Sequence, residues 1–80
     1  MARELIPGFR QVNPVEARMG KYLDMFPCSK GGFQGLKRAL VEAESARVRH
    51  GYEGEVVYTK MNNWGGKRKY DVWQIYLIRK

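Results

Sequence analysis

The sequence predicts an α+β domain in which two helices precede, and then cover, a C-terminal antiparallel β-hairpin. Three observations predict it. From Tyr52 to Lys80, two runs rich in β-branched and aromatic residues flank Gly65-Gly66, which is a hairpin signal. Phe33, Leu36, Ala39, Leu40, Ala43 and Ala46 fall on one continuous helical arc. Asn13-Pro14-Val15-Glu16 carries the cap, first-turn proline and capping-box glutamate of a helix start.

In chain order, residues 1–12 form an arm. Pro7-Gly8 marks a turn, and Leu5, Ile6, Phe9 and Val12 are placed to anchor it. Arg3 and Arg10 make the arm basic enough to reach toward a phosphate. Residues 13–51 form the helical part. Val15, Met19, Tyr22 and Phe26 recur at helical spacing up to Pro27, although Gly20 weakens the pattern by about 1 kcal/mol relative to alanine. The competing reading puts a strand over Met19–Phe26, which gives a ββαββ order. The second helix takes Ser29 as its cap and Gly51 as its C′ residue, with Arg47, Arg49 and His50 in its last turn.

Residues 52–80 form the hairpin. A two-residue turn at Gly65-Gly66 sets Tyr58 opposite Trp73, Val56 opposite Ile75, and Lys60 opposite Asp71. Val56, Tyr58, Trp73 and Ile75 then share the face that the second helix covers. A third strand contributed by the arm would complete the small sheet. An open hairpin edge also offers a route to a homodimer.

Eighty residues make one domain, and 44% hydrophobic content with ten aromatic residues is enough for a compact core. A single cysteine, Cys28, excludes an intramolecular disulfide and fits a reducing compartment. The sequence shows no transmembrane-length apolar run and no signal-peptide pattern. The expectation is a cytoplasmic protein without a membrane partner. Fifteen Lys and Arg against eight Asp and Glu give +7, which favours a polyanionic partner.

The clearest functional stretch is Lys60 to Tyr70. Lys60, Lys67, Arg68 and Lys69 can neutralise phosphates, Asn62 and Asn63 can bond base edges, and Trp64 can stack on a base. Arg38 and Arg49, on the polar side of the second helix, would extend this patch if they share its side. Tryptophan in a polar turn sets this hairpin tip apart from an ordinary solvated one.

Other motifs lead less far. Ser29–Gly35 is rich in glycine, but it lacks the spacing and the Lys-Ser/Thr pair of a phosphate loop. Cys28 and His50 could pair only as single occurrences, and Cys28 reads more simply as a small, partly buried residue. Glu53, Glu55 and Asp71 are outnumbered by lysines. No catalytic residue, metal ligand or cofactor is therefore expected, and the protein reads as a non-enzyme. The leading function is nucleic-acid binding, DNA or RNA. The alternative is a small basic inhibitor or adaptor that docks on an acidic protein surface, a composition that suits accessory proteins of viruses or mobile elements.

Overall fold

A computed structural model describes residues 6–29, 31–64 and 70–79, with Asn63 and Trp64 described by their backbone. The order is β1 (Arg10–Gln11), α1 (Pro14–Ala17), β2 (Lys21–Pro27), α2 (Gly32–His50), β3 (Glu55–Trp64) and β4 (Tyr70–Ile78). The four strands form one mixed sheet in the order β1-β3-β4-β2, with β1 parallel to β3 and the other pairs antiparallel. The fold is α+β, with a ββαββ-like order. The arm does supply a strand.

The first helix starts as its sequence requires. Asn13 caps it by accepting the Glu16 N–H at 2.8 Å, and Pro14 takes the first position. It does not continue to Phe26. The chain turns at Gly20 and runs extended along β4, so close that a Cβ on Gly20 would collide with the Leu77 carbonyl. Val15 and Met19, on the stripe expected to be buried, are 73% and 85% exposed, and Tyr22 is exposed as well. Two causes favour the strand. The outer edge of β4 carries peptide groups that a strand over 21–27 satisfies. In addition, the ladder is irregular between Tyr22 and Asp24, where Leu23 is an extra residue. That bulge breaks the period-two alternation and leaves an apolar spacing that imitates a helix.

The second helix spans Gly32 to His50 and lays Leu36 and Leu40, both fully buried, on Val56, Tyr58, Trp73 and Ile75. Ile6 joins that cluster, and Phe26, Phe33 and Leu77 pack around it half-buried. Ser29 is not the side-chain cap. The N-cap is Gly31 at φ 79°, while the Ser29 carbonyl accepts the Gly32 N–H at 3.1 Å. Gly32 lies against the Pro27 carbonyl, which leaves no space for a Cβ. At the other end Gly51, at φ 70°, donates to the Arg47 and Val48 carbonyls, as the sequence predicts.

The hairpin faces are as expected, but the register is displaced by two residues. Tyr58 pairs with Ile75, Val56 with Leu77 and Lys60 with Trp73. An even displacement keeps each side chain on its face. Two features combine to give it: Trp64 pairs with Tyr70, three residues out of step with a Gly65-Gly66 turn, and the irregularity between Met61 and Trp64 takes one residue back. Gly65-Gly66 itself lies outside the described residues.

The other sheet face carries Val57, Tyr76 and Ile78, covered by Val12 and Ala17. Buried Gln74 accepts the Tyr76 hydroxyl at 3.1 Å and points its amide at the Met25 sulfur, 3.8 Å away. Arg10 is exposed and engaged by two acids. Its guanidinium lies 3.0 Å from Glu55 and 3.3 Å from Glu16, tying β1, α1 and β3 together. The hydrogen bond and charge of Glu55 hold it protonated above its ordinary range.

Both outer edges are blunted. The Cys28 N–H donates to the Asp71 carbonyl at 3.0 Å, so by the alternation of an antiparallel ladder Met25 and Pro27 turn their nitrogens away from β4. Pro27 has no N–H, and the Met25 N–H is taken by the Asp24 carboxylate at 2.8 Å. On the opposite side β1 covers Val57 and Tyr58, and beyond it the edge carries Lys60 and an irregularity between Met61 and Trp64. Charge, proline and bulges are the usual devices against edge-to-edge association.

Candidate polyanion-binding surface at the distal end of the hairpin

Strand β2 stops at Pro27, opposite Val72, whereas β3 and β4 continue as a two-stranded ribbon to Trp64 and Tyr70. The start of α2 lies beside this end of the sheet, because Gly35 packs on the Phe26 ring. Hairpin and helix therefore bring their cations to the same end of the molecule.

Lys60 sits across the ladder from Trp73 and holds its ammonium 5.8 Å from the centre of that ring. Its second partner is Asp71, at 3.9 Å. Trp73 is only 8% exposed, and it meets Tyr58 at 5.9 Å and Phe33 at 6.1 Å between ring centres. Phe33 in turn carries the Lys37 ammonium at 5.9 Å. Two cations from different elements are thus seated at the two ends of one ring pair. Each such contact is worth about 0.5–1 kcal/mol at an exposed site, which restrains a lysine without removing its charge from solvent.

Arg38 follows Lys37 on the exposed side of α2, where Gln34, Lys37, Arg38, Val41 and Glu42 line a shallow groove. Asn62 is exposed on the ribbon. Lys67, Arg68 and Lys69 lie outside the described residues, and Asn63 and Trp64 are placed by backbone alone. Arg49 is not brought to this end: a helical rise of 1.5 Å per residue puts it about 16 Å along the axis from Arg38. Lys37 is the residue that sequence reasoning missed. Its signal was the four-residue spacing to Phe33, which places a cation over a ring on one helix face.

The remaining candidates stay apart. Cys28 is half-buried next to the start of α2, and burial pushes its thiol above the ordinary range, with Lys60 opposing and Asp71 reinforcing the shift. That disfavours the thiolate. His50 sits at the far end of α2, where its ring lies 5.8 Å from Tyr52. Glu55 is engaged by Arg10 and Asp71 by Lys60. Among the described residues no group of three or more His, Cys, Asp or Glu could hold a metal ion, and no helix is long and apolar enough to cross a membrane. Searches of family models, curated proteins and solved structures returned no match for this chain.

Proposed function

We propose that the protein is a non-enzymatic nucleic-acid-binding module whose contact surface is the distal end of the hairpin with the first turns of α2. The observation that carries this reading is the pair of ammonium groups, Lys37 and Lys60, seated on the Phe33–Trp73 rings beside exposed Arg38. In sequence the same ribbon leads into Lys67, Arg68 and Lys69. A net charge of +7 supplies long-range attraction to a polyanion. Pre-restrained cations lose less conformational entropy on binding than free lysines would.

The test is affinity for DNA and RNA oligonucleotides across a salt series. Replacing Lys67, Arg68 and Lys69 with alanine should weaken binding and flatten its salt dependence, because the slope follows the number of phosphates neutralised. A wild-type protein that binds no oligonucleotide at low salt would remove the reading. Circular dichroism of the triple variant supplies the folding control.

A further inference from the structure

We infer that the sheet face opposite α2 carries a docking surface for a segment of another protein in which apolar residues are interleaved with Asp and Glu. This surface is separate from the one proposed for nucleic acid. It lies at the other end of the sheet, where Lys21 pairs with Leu77. Ala17 is fully buried on Val57, Tyr76 and Ile78, so Val15 and Met19, two positions to either side of it, turn outward. At 85%, Met19 is the most exposed large apolar side chain among the described residues. Tyr22, exposed, lies on the same face, because its ring meets the Tyr76 ring edge-on at 5.7 Å. Leu23, the extra residue of the bulge, is exposed beside it. Glu16, Met19, Ile78 and Arg79 line a groove of about 300 Å³ next to these side chains. Single exposed apolar residues are ordinary on a surface, but a cluster of them beside a groove marks an interface.

Charge decides the kind of partner. Arg18, Lys21 and Arg79 are exposed around the cluster and form no ion pair among the described residues. The neighbouring acids are committed within the chain. Glu16 lies 3.3 Å from Arg10, and the Asp24 carboxylate accepts the Met25 N–H at 2.8 Å. The surface is therefore apolar at its centre and positive at its rim, which complements an apolar segment flanked by carboxylates. A second copy would bring the same cations, and like charges oppose that pairing. A bilayer fits less well. Helix α1 has four residues, whereas an interfacial helix buries a long apolar face, and a groove takes a protruding side chain better than a flat lipid surface.

The experiment pans a display library of random short peptides on the full chain and measures the affinity of the selected peptides by fluorescence anisotropy. They should be richer in Asp and Glu than the library and should interleave them with apolar residues. Met19→Ser should weaken them about tenfold or more, the scale of one buried apolar side chain. Arg18→Ala combined with Arg79→Ala should weaken them about two- to fivefold and flatten their salt dependence. Circular dichroism checks folding, and Val15→Ser, at another exposed position, carries the test if Met19→Ser loses helix or sheet signal. Selection of no peptide, of basic peptides, or of peptides indifferent to both serine variants would overturn the inference. So would binding to phosphatidylserine vesicles that Met19→Ser abolishes, which makes the occupant a membrane. A concentration-dependent dimer lost in the same variant would also overturn it, with a second copy as the occupant.

Discussion

Lys60 faces Trp73 across the β3–β4 ladder and keeps its ammonium 5.8 Å from the indole centre, while Asp71 stands 3.9 Å from the same nitrogen. One lysine is thereby held by a ring and an acid at the edge of the core. Lys60→Met should cost about 0.5–1 kcal/mol, the scale of an exposed cation–π contact. Thermal unfolding should show a shift of only a few degrees. A loss several times larger would mean that Lys60 serves the core more than the surface.

Leu40 is fully buried on α2 against the sheet. Leu40→Ala should destabilise the domain by about 2–5 kcal/mol through lost transfer energy and a residual cavity. Urea unfolding measures this directly, and an unchanged midpoint would contradict the packing described.

Gly20 has no space for a side chain, because Leu77 and Ile78 occupy the position of a Cβ. Gly20→Ala should therefore weaken the β2–β4 pairing. Hydrogen exchange of the Lys21 to Phe26 amides should quicken more than that of α2. Uniform protection in both elements would show that the close approach is easily relaxed.

The β2 edge is closed by Pro27 and by the Asp24 carboxylate on the Met25 N–H. The double variant Asp24→Ala, Pro27→Val restores two outward donors and removes a charge. It should self-associate at concentrations where the wild type shows less association, as read by analytical ultracentrifugation. Identical sedimentation would show that other features of this edge keep strands away.

Burial raises the Cys28 thiol above its ordinary range of about 8.5. Alkylation of the folded protein should be slower than that of a free thiol near neutral pH and should accelerate only at higher pH. The linkage has a definite sign. The unfolded chain ionises first, so this group leaves stability intact below the ordinary thiol range and lowers it as pH rises through the folded value. An alkylation rate equal to that of a model thiol would contradict the burial.

Local signals in the sequence determined much of this molecule. Asn13-Pro14 marks a helix start, Gly51 marks a helix end, and the arc through Leu36 and Leu40 identifies the buried side of α2; each depends on neighbours within one or two turns. The alternation in Val56–Tyr58 and Trp73–Ile75 determined which residues share the core face. Lys60 and Asn62 share the parity of Val56 and Tyr58, so their polarity and their place near the hairpin tip, and not the alternation, mark them as surface residues. Three matters belonged to tertiary structure. Residues 21–27 became a strand because the distant edge of β4 needed a partner, and the bulge at Leu23 hid the strand from any periodicity. The hairpin register followed from the pairing of Trp64 with Tyr70 together with the irregularity between Met61 and Trp64, which no two-residue turn rule anticipates. The seating of Lys37 and Lys60 on a shared ring pair required α2 to lie across the sheet, whereas Arg49, of the same charge and on the same helix, was carried to the far end. Contacts between residues far apart in sequence decide such placements, and a local pattern cannot encode them.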